Sequence, residues 1–215
     1  AVGEGRIGVG RDLRELLGVR PVVALLGCFF LFRFGLQMAD AFVALFVDAL
    51  GPLDWVAARA ADRAHAVDRT TALIFVIHAL AQVLLTVLWG RFGDRFGPLR
   101  GLAVIALGLG AATIGAGFAT TINGFVGWRI AAAAFAAGGT TLSYAALGKR
   151  LPPQGRSLAV ACLQSCMQFG MFAGPLTGGL VSEWTGLSGM LVVAGSAIVT
   201  AGMVMWGVRR WEAGR

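Results

Sequence analysis

The chain has 215 residues, of which 57% are hydrophobic and only 13% charged, with a mean hydropathy of +0.77 and a formal net charge of +7. A soluble domain carries about 25% charged residues, so this composition excludes an ordinary water-soluble fold and points to the bilayer. The basic excess falls mostly in short links between apolar runs, which argues for membrane orientation and against nucleic-acid binding.

Residues 1–21 are Gly- and Arg-rich and read as a cytoplasmic lead-in. Gly3-Glu-Gly5-Arg-Ile-Gly8 matches a dinucleotide fingerprint as a string, but no strand precedes it and no βαβ unit follows. Arg11 to Pro21 has the spacing of a short amphipathic interfacial helix. The opening has neither Met nor a signal-peptide core and reads as the interior of a longer chain. Residues 22–208 then contain six apolar runs, each near the 20 or so residues that cross about 30 Å of hydrocarbon. They are Val22–Ala49, Thr71–Trp89, Leu102–Ala119, Gly124–Leu147, Leu158–Val181 and Leu187–Val208. The runs are continuous and lack period-2 alternation, so they predict helices rather than a barrel. Residues 209–215 read as a cytoplasmic tail. The fold class is an all-α membrane protein with six transmembrane helices.

The links between runs carry the orientation signal. Arg6, Arg11, Arg14, Arg20, Arg91, Arg95, Arg100, Lys149, Arg150, Arg156, Arg209, Arg210 and Arg215 fall on one side, most of the 18 Lys and Arg residues. The other side has Arg59, Arg63 and Arg69, offset locally by Asp54, Asp62 and Asp68. Both termini are expected to be cytoplasmic. The outer link 51–69 is the longest and suggests a helical extension of the first span. Thr120–Asn123 and Glu183–Gly186 are short enough to make antiparallel hairpins. Between the second and third runs, Gly90-Arg-Phe-Gly-Asp94-Arg95-Phe-Gly97-Pro-Leu-Arg100 reads as a tight loop, with Gly90 and Gly97 permitting turns around one carboxylate held among arginines.

Polar groups inside the spans are costly and mark pathways or pairs. Arg33, Gln37 and Asp40 share one face of the first span at spacings of four and three. His78 and Gln82, with Thr86 a turn further, form a stripe on the second span. Arg129 lies on the fourth, and Gln164 and Gln168 share a face of the fifth. The stripes at His78 and Gln82 and at Gln164 and Gln168 read first as interhelical hydrogen bonding and second as substrate contacts. Gly170, Gly174, Gly178 and Gly179 surround Pro175 and allow close packing, bending or both. Cys28, Cys162 and Cys166 read as small apolar fillers, and no metal-ligand pattern is present.

The motif Gly90-x-x-x-Asp94-Arg95-x-Gly97-x-x-Arg100, at this place between six spans, resembles the signature loop of major facilitator superfamily transporters. Arg129 stands where that family often has a buried arginine. Gly170-x-x-x-Gly174-Pro175-x-x-Gly178-Gly179 is similar to the pattern of its drug–proton antiporters. Leu99 departs from the pattern, which often has a second basic residue there. The resemblance implies one six-helix half of an alternating-access transporter, by its signature wording the C-terminal half, with the other half in the same chain. It further implies a bacterial inner membrane, a small-molecule substrate exported in exchange for protons, and no cofactor. The signature segment would act as a conformational latch, and the first and fourth spans would line the cavity. Helix rise puts Asp40 about 13 Å and Arg129 about 8 Å below the outer ends of their helices, close enough in level for an interaction across the cavity.

Other function classes have less support. No HExxH or GxSxG occurs, and His78 is the only histidine within a span, so an intramembrane enzyme is disfavoured. A facilitator or symporter taking up sugars or organic acids, and a non-transporting six-helix partner or sensor, stay open as alternatives.

Overall fold

The computed structural model describes residues 20–149 and 156–213, and among these every regular element is a helix. The segment 11–19 and Arg150 lie outside the described residues. In chain order the helices are α1 (Arg20–Asp40), α2 (Val43–Leu50), α3 (Asp54–Ala57), α4 (Arg63–Phe96), α5 (Pro98–Gly117), α6 (Ile122–Ala136), α7 (Gly139–Gly148) and α8 (Arg156–Ala213). α1 with α2 makes the first span, interrupted by a turn directly after Asp40. α6 with α7 makes the fourth, interrupted at Ala137 and Gly138.

α8 holds the fifth and sixth spans. The apolar run Ser157–Arg210 has 54 residues, about 80 Å of helix, far beyond one bilayer crossing. It reverses at Gly186, whose φ of 71° is open to glycine and strained for other residues. The packing register records the reversal. Gly170 and Gly174 on the first arm meet the backbone of Phe30 and Phe34, and Gly178 meets Phe42, so this arm runs parallel to the first span. On the second arm Gly195 meets Gly110 and Ile114, while Gly202 meets Ala106, antiparallel to α5. The expected link Glu183–Gly186 is thereby reduced to one residue.

Between α5 and the fourth span the contacts repeat every seven residues. Gly101, Gly108 and Gly115 receive Leu142, Phe135 and Trp128 of the antiparallel neighbour. That is knobs-into-holes geometry with glycine as the hole. Without water to drive helices together, close packing of this kind supplies the association energy.

The second span differs most from its sequence reading. α4 begins at Arg63 and ends at Phe96, where the apolar run suggested Thr71–Trp89. At ~51 Å it projects beyond the hydrocarbon. Asp62 caps its start, accepting from the His65 amide at 2.8 Å; that bond, then the His65 ring, holds the exposed carboxyl below its ordinary range. At the other end the expected loop Gly90–Arg100 is a correction: helix continues through Asp94 and Arg95, and the turn is made at Gly97, with φ 92°, followed by Pro98 at the first position of α5. Gly90 is helical and turns nothing. The short helix α3 within link 51–69 stands apart from the first span, so that link is not simply its extension. The expected tail 209–215 is helical as far as Ala213.

The glycine contacts make a direct prediction. A Cβ at Gly174 would lie 2.6 Å from the Phe34 carbonyl oxygen, whereas one at Gly90 meets nothing within 4 Å. Gly174→Val should destabilise the detergent-solubilised protein by about 2 kcal/mol or more, and Gly90→Ala should be neutral or stabilise by roughly 0.5 kcal/mol. Thermal unfolding followed by tryptophan fluorescence checks both, and equal effects would contradict the assigned packing face.

Candidate functional site

Asp40 is the last residue of α1, at the break in the first span. Arg129 lies two turns into α6, and His78 lies midway along α4. Arg129 Nη2 donates to Asp40 Oδ1, joining residues 89 apart in sequence. The two partners differ in access: the arginine side chain is 3% exposed and the aspartate 18%. Arg129 is thus sealed within the bundle while the carboxylate keeps an open edge. A buried guanidinium is tolerable only with an opposite charge and hydrogen bonds.

Two neighbouring polar atoms are left over. Arg129 Nε and His78 Nδ1 are buried and have no hydrogen-bond partner among the described residues. His78 and Arg129 line one narrow crevice with Ile74, Ile77, Val126 and Ile130, so the histidine faces the charged pair across apolar walls. Three helices therefore converge on a cluster of one anion, one cation and one imidazole.

The remaining candidates do not all join this cluster. Arg33 and Gln37 are half-buried on the Asp40 face; Arg33 Nη2 approaches Met171 Sδ at 4.0 Å and its Nε has no partner among the described residues. Gln82 is half-buried, and its backbone carbonyl accepts from Thr86 Oγ1. Gln164 Oε1 accepts from Tyr144 OH at 2.8 Å, and Gln168 is exposed. Gly170, Gly174 and Gly178 form the face against the first span, Gly179 only grazes Phe42, and Pro175 stays within helical geometry. In the signature segment, Asp94 is exposed and makes no ion pair or hydrogen bond among the described residues. Arg95 instead lies over the Phe96 ring at 5.3 Å, and Arg100 borders a cavity at the basic end of the bundle.

Sequence reasoning missed how the break in the fourth span is supported. Two carbonyls there accept from the second span: Ala137 from Thr86 Oγ1 at 3.0 Å and Ala134 from Trp89 Nε1 at 2.7 Å. Broken helices at membrane depth persist only where such partners exist. The Gly138-Gly139 pair inside an apolar run was the available signal.

Comparison with known proteins fits this geometry. The family description matching residues 25–213 is that of the Major Facilitator Superfamily. The chain belongs to that superfamily. Superfamily members are transporters and not enzymes, and two interrupted spans, one with an aspartate at its break, suit such a protein. The chain is also similar to a multi-drug resistance efflux pump PmrA homolog of Lactococcus lactis, at 28% identity over 181 residues. That match covers 82% of this chain and 40% of the relative, so the chain spans about half the length of that protein. No solved structure gives a significant match.

The pair itself is open to a double-variant test. Asp40→Leu strands a buried guanidinium and should cost about 3–5 kcal/mol, whereas adding Arg129→Met should recover a large part of that loss. Unfolding midpoints of the two single variants and the double variant give the coupling. Additive losses would mean that the two side chains do not stabilise one another.

Proposed function

We propose that this chain is the C-terminal six-helix half of a transporter that exports small drug-like or metabolite compounds by alternating access, in exchange for protons. The observation that carries the reading is the Asp40–Arg129 pair, with its sealed cation and accessible carboxylate. Protonation of Asp40 would cancel the attraction that holds α1 to α6 at the break in the first span. An unpaired Arg129 then favours a rearrangement that brings back a counter-charge, and loss of the proton restores the pair. A proton entering from one side and leaving to the other would thus be tied to a change of shape.

Two further features support the reading. The relative from Lactococcus lactis carries the description of an efflux pump, which favours export over uptake for this chain. Large apolar side chains are exposed along α4, among them Val83, Leu84 and Val87, and along the first arm of α8, including Phe169, Phe172 and Leu176. Those faces suit a second six-helix half and surrounding lipid. The unengaged Asp94 is then available to an arginine or helix N-terminus of that half, as one arm of a latch that holds an end state. Both termini would be cytoplasmic and the membrane a bacterial inner membrane.

The test is dye export by the full-length transporter in energised inverted vesicles. Asp40→Asn is expected to reduce uncoupler-sensitive export to below a tenth of wild type at equal protein yield. Normal proton-driven export by that variant would exclude Asp40 from coupling. Export indifferent to the uncoupler would point to a facilitator.

A further inference from the structure

The basic end of the bundle holds a cavity of about 620 Å³ at which three helix ends meet. Arg100 comes from the start of α5, Lys149 from the end of α7 and Arg209 from near the end of α8. Phe96, Pro98 and Leu99 supply apolar walls. No carboxylate is among the described residues that line it, and Asp94 pairs with none of these cations. Three cations around one cavity make it a favourable place for an anion. The same opening receives the start of α5, where proline occupies the first position and no side chain caps the helix, leaving the Leu99 and Arg100 amides without intrahelical acceptors.

The ligand chemistry follows from this lining. The cations and amides select a phosphate. The apolar walls, and a volume far larger than an inorganic phosphate ion, select a phosphate that carries an apolar body. A position at the helix ends puts the site at the level of lipid headgroups, and clustered basic side chains at that level attract anionic lipid. We propose that this cavity binds the headgroup of an anionic phospholipid, with Arg100, Lys149 and Arg209 on the phosphate and the exposed Phe96 against the glycerol and first acyl carbons. The site is independent of the Asp40–Arg129 pair and of proton coupling. Through Gly97 and Pro98 the lipid would brace the turn between α4 and α5.

Lipid retention by the full chain in neutral detergent, followed by native mass spectrometry with phosphatidylglycerol, phosphatidylcholine and inorganic phosphate, tests the proposal. Wild type should retain phosphatidylglycerol in preference to phosphatidylcholine, and retention should fall as salt rises. Arg100→Gln with Lys149→Gln should weaken phosphatidylglycerol binding by tenfold or more, whereas Arg91→Gln with Arg95→Gln, the same loss of charge at the same end, should leave it within about twofold. Equal losses in both double variants, equal retention of the two lipids, or saturation by inorganic phosphate would overturn the proposal. Should the first double variant fail to fold, the wild-type lipid preference and salt dependence still decide it.

Discussion

A guanidinium sealed inside a membrane bundle is the constraint around which this structure is arranged. Arg129 is 3% exposed, and in hydrocarbon an unpaired charge of that kind is untenable. Its partner has to come from another span at the same depth, and Asp40 supplies it from the point where the first span is interrupted. The end of α1 and the middle of α6 are therefore linked by one electrostatic requirement. The two partners differ in access, the guanidinium being enclosed and the carboxylate keeping an open edge.

Packing around this pair rests on the absence of side chains. In lipid, helices gain little by burying apolar surface, so close approach and dispersion contacts decide which faces meet. Gly170 and Gly174 bring the first arm of α8 onto the backbone of α1, and the seven-residue glycine ladder of α5 takes the large side chains of α6 and α7. Polar support appears where backbone groups are freed, as at Ala134 and Ala137, whose carbonyls accept from Trp89 and Thr86. The scaffold holds two interrupted spans at fixed depth while leaving the faces of α4 and the first arm of α8 uncovered.

Much of this was legible in the sequence. Long apolar runs identify spans because hydrocarbon thickness fixes their length, and the depth of Asp40 and Arg129 follows from helix rise once the runs are placed. Helix ends were harder. Gly90 and Gly186 look alike as letters, yet Gly90 sits in mid-helix with open space around it while Gly186 reverses the chain. Glycine serves turning and packing equally well, and only the neighbouring helix tells the two apart. The segment around Asp94 read as a loop because its charges interrupt the apolar run, although helix extends past the membrane with no change in backbone geometry. The links from Thr86 and Trp89 were not legible, since hydroxyls and indoles inside spans carry no mark of which carbonyl they will meet.

The central claim is that Asp40 gains and loses a proton as its pair with Arg129 opens and closes. Infrared difference spectroscopy of the full-length transporter in lipid, in the carbonyl-stretch region of protonated carboxylic acids, reads this directly. Adding an exported compound should change a band that is present in wild type and missing in Asp40→Asn. A spectrum that responds to the compound identically in both proteins would contradict the account.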